Sequence, residues 1–227
     1  MSMANYSEMI IEADCLVFVN TENIIASVIK TAKQKSLMKI SAPSGTGKTT
    51  ALRIISRKLP TTAFVTVYEE MTAKEFLEDL SVAVGIRTPQ KSAKEMMREL
   101  KSWLFGHPKL IIVDEANFLK ERSLEQLRHL HDLCSVGIVL AGTEALDMTI
   151  ARSHPQVASR IRNSMLVSKF GSLEVAMLCR KYGILESKAD VLVAQKRNLR
   201  EIEYFLQDYL EMHGMNETHF KTAMKGI

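Results

Sequence analysis

Cysteine is scarce in this sequence: Cys15, Cys134 and Cys179 are odd in number, widely spaced and without CxxC spacing. That excludes a disulfide framework or a cysteine zinc site and suits a reducing compartment. No apolar run approaches the roughly 20 residues that span a bilayer. The first residues carry Glu8, Glu12 and Asp14 where a secretory signal needs bases. The expectation is therefore a soluble, cytoplasmic protein. Internal repeats and low-complexity tracts are missing too. His129 and His131 stand two apart on an expected helix, face different ways and make a poor metal pair. No Ser–His–Asp arrangement stands out.

What is present is an ordinary globular composition over 227 residues, with 46% hydrophobic and 25% charged side chains. That length fits one α/β domain with a small appendage, or two compact units. Thirteen methionines point to adaptable packing or interfaces rather than a cofactor site. Net charge is +4 but unevenly placed: residues 150–200 hold 10 basic side chains against Glu174, Glu186 and Asp190. Such a block can face nucleic acid, gather arginines around phosphates, or be a solvated helical surface.

Five short β-branched runs, 37–42, 63–68, 110–113, 137–141 and 164–167, are expected as buried parallel strands. Between them lie stretches with helical spacing. In 21–35 the stripe is Ile24, Ile25, Val28 and Ile29, with Asn20 or Thr21 as cap; in 72–84 it is Phe76, Leu77, Leu80 and Val84. Residues 91–105 and 123–134 continue the alternation, with Trp103 and Phe105 expected in the core. Strand alternating with helix indicates a doubly wound parallel sheet. Past residue 170 the strand signals stop, and 172–182, 186–196 and 199–212 are expected as helices. The division is an N-terminal segment (1–20), an α/β nucleotide-binding domain (21–170), a helical lid (171–212) and a tail (213–227).

The strongest local signal is Ala42-Pro43-Ser44-Gly45-Thr46-Gly47-Lys48-Thr49-Thr50, a strand, a glycine-rich loop and a helix start. Glycines let successive N–H groups point inward around phosphates. Lys48 suits the β- and γ-phosphates, the Thr49 hydroxyl suits Mg²⁺, and the helix N-terminus adds its dipole. Ala42 stands where the motif has glycine, and is small enough to pass. An apolar strand then delivers Asp114 and Glu115 at its C-terminal end, where ligands bind in such sheets. Asp114 is expected to hold Mg²⁺ through water, and Glu115 to polarise the attacking water. A further strand runs into Thr143, placed either for the γ-phosphate and lytic water or as a helix N-cap.

These motifs resemble the AAA+ class, and within it the transposition regulators of the MuB and TnsC type. The likeness runs from about Phe18 to Leu210 and is carried by Val113-Asp-Glu-Ala-Asn-Phe-Leu119, Leu127-Arg-His-Leu-His-Asp132, Val139-Leu-Ala-Gly-Thr143 and Gln156-Val-Ala-Ser-Arg-Ile161. ExeA-like and origin-binding ATPases share this layout. The resemblance implies an AAA+ P-loop fold with sheet order 5-1-4-3-2, and Mg·ATP bound and hydrolysed at a site completed by a neighbouring subunit. It also implies assembly of a ring or filament on double-stranded DNA and communication with a transposase. Arg160 or Arg162 lies where the family keeps a trans-acting arginine finger, a surface ion pair being the alternative. Arg200 matches the lid arginine that senses the γ-phosphate, or else is a helix-surface residue pairing with Glu203 or Glu201. Phe18 and Val19 fall where the family cradles adenine, or are simple core. With about 20 residues before the first expected helix, no N-terminal helix-turn-helix domain is expected. DNA contacts then fall by analogy to Lys74, Arg87, Lys91, Lys94, Lys120 and Arg122, and would be phosphate contacts with little sequence preference. Rival readings are a loader or secretion-type ATPase acting on a protein, and a small-molecule kinase.

Overall fold

The computed structural model describes residues 19–87, 91–106, 110–153, 155–167, 171–183 and 199–213. The elements run α1 (Val19–Gln34), β1 (Leu37–Ser41), α2 (Lys48–Lys58), β2 (Thr62–Thr66), α3 (Ala73–Ala83), α4 (Ala93–Gly106), β3 (Leu110–Asp114), a 3₁₀ turn (Ala116–Phe118) and α5 (Glu121–Cys134). They continue with β4 (Gly137–Gly142), α6 (Ala145–Ser153), α7 (Pro155–Ala158), β5 (Ile161–Leu166), α8 (Ser172–Lys181) and α9 (Leu199–His213). The strands form one parallel sheet ordered β2-β3-β4-β1-β5, the order the resemblance implies. The fold is an α/β P-loop sandwich with helices on both faces.

Strand alternation sorts the core into two layers. Ile40, Ile112 and Val139 face α1 and α2, meeting Ile24, Ile25, Val28, Leu52 and Ile55. Ile111, Val113, Ile138 and Leu140 face the other way, against Phe76 and Leu80 of α3, Leu100 and Leu104 of α4, and Leu124 and Leu127 of α5. All are nearly solvent-free, and each such side chain stabilises the fold by roughly 1.5–3 kcal/mol. A separate small cluster joins α8 to α9 through Val175, Leu178, Ile202 and Leu206.

Some expectations need correction. Every residue of β3 and β4 is buried, but the edge strands are not: β2 alternates buried with partly buried positions, and β5 alternates partly buried with exposed ones. β5 also begins at Ile161 rather than at 164, so Arg162 is a strand residue. α1 starts at Val19, which puts Asn20 and Thr21 inside the helix instead of at its cap. The real capping box is at α3: the Thr72 hydroxyl accepts from Glu75 N, and Glu75 accepts from Thr72 N. Trp103 does pack against the core, whereas Phe105 is 79% exposed. The helix expected over 186–196 and the tail lie outside the described residues. Among the described residues no helix is long and apolar enough to cross a membrane.

Candidate functional site: a phosphate cradle facing two acids

β1 ends beneath a loop whose Gly45 and Gly47 take φ of 77° and 84°, left-handed values that a side chain disfavours. Their conformation wraps the backbone around a cleft lined by 44–50, Glu115, Leu178, Arg200 and Glu203. Ala42 is wholly buried, and its N–H donates to Gly142 O at 3.1 Å; a methyl group fits there without strain. Thr46 braces the loop through a 2.9 Å bond from its hydroxyl to Pro43 O.

α2 opens on Lys48, whose side chain is only 5% exposed. Its Nζ donates to Ala42 O at 2.8 Å and Pro43 O at 3.1 Å. Burial pushes this ammonium's pKa down, while the charges of Glu115 and Asp114 oppose the shift. Across the cleft, Asp114 is 1% exposed with both oxygens engaged: Thr49 Oγ1 donates to Oδ2 at 2.8 Å and Glu115 N to Oδ1 at 3.0 Å. Glu115 itself sits at φ 54° and ψ 37°. That left-handed turn stops β3 and brings its side chain to the cleft wall.

The donor set fits a magnesium-bound triphosphate: the backbone amides of a glycine loop that lines the cleft, one buried ammonium, and a hydroxyl–carboxylate pair of hard oxygen ligands. Arg200, exposed and without an ion pair among the described residues, lines the same cleft from α9. The fold thus gathers residues 44–50, Asp114, Glu115 and Arg200 around one space.

Other expected residues lie elsewhere. Thr143 does not line the cleft; its N–H donates to Asn117 Oδ1 at 3.0 Å, and its hydroxyl has no partner among the described residues, so it forms no N-cap bond. Arg160 turns to its own chain, Nε donating to Asp132 Oδ1 at 2.7 Å and Oδ2 at 2.9 Å, with Nη1 on Gln156 O at 2.8 Å. This ion pair lowers the Asp132 pKa and raises that of Arg160. Arg162 is exposed on β5 and has no ion pair among the described residues. Phe18 lies outside the described residues, and Val19 opens α1. That helix start abuts the loop, since a Cβ built on Gly47 would come 3.7 Å from Thr21 Oγ1.

The basic residues singled out for DNA divide in two. Lys74 pairs with Glu78 at 3.4 Å, Lys91 with Glu99 at 2.5 Å, and Lys120 donates to Glu69 O at 2.8 Å. Lys94 and Arg122 line a groove between α4 and α5, and Arg87 is exposed. Asn117 and Leu178 carry no site expectation from the sequence, and Glu203 entered only as a possible ion-pair partner of Arg200, not as a residue of the cleft. For Asn117 the available signal was a polar side chain two residues past the acid pair, and for Glu203 its i, i+3 spacing from Arg200.

Residues 30–150 match a family described as AAA domain. The chain belongs to that family. It is 26% identical over 208 residues to the ATP-dependent target DNA activator B of Escherichia phage Mu, covering 85% of this chain and 67% of that protein. It is 21% identical over 193 residues to the Mu-like prophage FluMu DNA transposition protein B of Haemophilus influenzae, covering 82% and 67%. Among solved structures, ORC2 of Aeropyrum pernix superposes with a TM-score of 0.69 at 16% identity, covering 91% of this chain and 66% of that one. The chain spans about two thirds of the length of these proteins, and the structural likeness shows the fold alone.

Proposed function

We propose that this AAA-domain protein hydrolyses ATP to regulate DNA transposition, assembling on duplex DNA in its ATP-bound state and leaving it after hydrolysis. The observation that carries the ATPase half is the 2.8 Å bond from Thr49 to Asp114, with Lys48 and Glu115 on either side. The transposition half is supported by the likeness to proteins named as a target DNA activator and a DNA transposition protein. Its place of action is the cytoplasm.

In this reading Lys48 leaves the loop carbonyls for the β- and γ-phosphates, exchanging two neutral acceptors for anionic ones. Thr49 and Asp114 hold Mg²⁺, which when bound neutralises charge on the phosphate oxygens. Glu115 orients and polarises the attacking water, and Thr143, which lies outside the cleft lining, reaches that water only if its hydroxyl turns inward on nucleotide binding. Arg200 senses the γ-phosphate from the lid formed by 171–212, and Arg160, released from Asp132, serves a neighbouring subunit's cleft. Arg87, Lys94 and Arg122 are the freest of the DNA candidates, with Lys74, Lys91 and Lys120 needing to exchange present partners. Such contacts grip phosphates regardless of sequence.

Electron microscopy of the chain with duplex DNA and a slowly hydrolysed ATP analogue tests the proposal. Rings or filaments are expected. Monomers alone, or ATP turnover indifferent to DNA, would point instead to an ATPase acting on a protein partner.

A further inference from the structure

α4 and α5 lie side by side on the sheet face opposite α1 and α2. Their C-terminal halves stay together, with Cys134 Sγ 3.8 Å from Lys101 O. A groove of about 590 Å³ runs between them, floored by Met97 and rimmed by Arg98 and Lys101 on one side and His129 on the other. Lys94 and Arg122, two of the DNA candidates, line it as well, and among the described residues no carboxylate does. At the far end the same helix faces carry Phe105, 79% exposed, and Leu133, 53% exposed. Gln126 Oε1 is buried beside the groove with no hydrogen-bond partner among the described residues. A phosphate backbone offers nothing to Met97, Phe105 and Leu133. The groove calls for an occupant that carries apolar side chains and carboxylates together.

Residues 1–18 of this chain have that chemistry. They hold Glu8, Glu12 and Asp14 and no lysine or arginine. Tyr6, Met9, Ile10, Ala13 and Val17 recur at the spacing of an amphipathic helix, with Glu12 to one side of the stripe and Asp14 to the other. We propose that the acidic segment 1–18 of one copy docks in the α4–α5 groove of a neighbouring copy.

A neighbour is the fitting donor because of where each part sits. The segment leads into α1, whose start lies against the phosphate loop, on the sheet face away from its own groove. α5 carries Asp132, which holds Arg160. This inference rests on the proposed trans role of Arg160. A neighbour that presents Arg160 to the cleft also brings its own α5 to the place from which residues 1–18 depart. Eighteen residues span up to roughly 60 Å when extended, ample for that crossing. Carboxylates would then meet Arg98 and Lys101, and the apolar stripe would cover Met97, Phe105 and Leu133.

The test uses full-length chains: one carrying Arg98→Glu and Lys101→Glu, the other Glu8→Lys and Glu12→Lys. Self-association is followed by light scattering with Mg²⁺ and a slowly hydrolysed ATP analogue, without DNA. Each variant should melt at the wild-type temperature yet associate at least tenfold more weakly. An equimolar mixture should regain association, because reversed segments then meet reversed grooves. Unchanged association in either variant overturns the docking. So does rescue only when all four changes share one chain, which means docking within a chain, or lost duplex-DNA affinity with association intact, which makes the groove a phosphate-backbone site. If the wild-type chain does not associate with nucleotide, the functional reading fails separately. A fluorescent peptide of residues 1–18 must then still bind the full chain, and bind the groove variant at least tenfold less; a flat titration overturns the docking.

Discussion

The Thr143 amide donates to the Asn117 side-chain oxygen at 3.0 Å, so the turn after β3 holds the end of β4 in place. Gly142 allows this approach: a Cβ there would fall 2.6 Å from Asn117 Oδ1 and 3.1 Å from Asn117 N. Asn117→Ala leaves the Thr143 amide unpaired, at a cost of about 1–3 kcal/mol, and lets the strand end drift. If Thr143 comes to position the lytic water when nucleotide binds, turnover should fall about 10–100-fold while ATP affinity is nearly unchanged. Separate measurements of kcat and nucleotide Kd check this, and an equal loss in both would place Asn117 in ground-state binding instead. Gly142→Ala should reproduce the turnover defect, since the backbone atom at 3.1 Å cannot swing aside.

Lys48→Ala removes the buried ammonium from the cradle. The chain should fold and melt near the wild-type temperature without nucleotide, since burial already disfavours this charge. Mg·ATP at a hundred times its Kd stabilises a binding-competent chain by about 2.7 kcal/mol. The wild type should show that rise in melting temperature and the variant none. A nucleotide-induced shift in the variant would contradict the role given to Lys48.

Glu115→Gln keeps the shape of the side chain and the left-handed turn at φ 54° but removes its basicity. ATP binding should persist and turnover should drop about 10²–10⁴-fold, trapping the assembled state. Rapid hydrolysis by this variant, read as phosphate release, would shift the base elsewhere.

Arg160→Ala should lower turnover by about 10³-fold or more if the residue reaches a neighbour's cleft. Mixing it with Lys48→Ala should restore part of the activity, because shared sites then pair an intact cradle with an intact finger. No recovery at any mixing ratio would leave Arg160 as the partner of Asp132 alone.

Asp132 also makes a pH prediction. The hydrogen bonds from Arg160 hold its carboxyl below the usual range. A depressed folded pKa means that its stabilising contribution is complete above about pH 4, the ordinary aspartate value. The contribution is lost as pH falls through the depressed value. With Asp132 29% and Arg160 33% exposed, it should stay within about 1 kcal/mol. The melting gap between wild type and Asp132→Asn should be constant near neutrality, close only in acid and narrow in high salt. A gap that persists at pH 2 would trace to lost packing rather than charge.

The two core layers were legible because helical and strand periodicities survive in one dimension. Ile24, Ile25, Val28 and Ile29 share a stripe by spacing alone, and they meet β1 as a stripe. The glycine loop was legible because Gly45 and Gly47 permit backbone angles that few other residues take. β5 was misjudged because apolar content does not reveal whether a strand lies inside a sheet or at its edge. Phe105 was misplaced for a related reason: helical spacing gives a face, but not what covers it.

The sequence by itself determined that a phosphate-binding turn and an acidic strand end exist, because their chemistry lies within a few contiguous residues. It likewise settled which side chains share a stripe. Tertiary structure alone decided that Thr49 meets Asp114 across 65 positions, that Asn117 steadies Thr143, and that Arg160 rests on Asp132. The first two pairings follow from β4 lying between β1 and β3, and the third from the packing of α5 beside α7. Such an order is a property of crossovers and packed layers, and local residue preferences do not encode it.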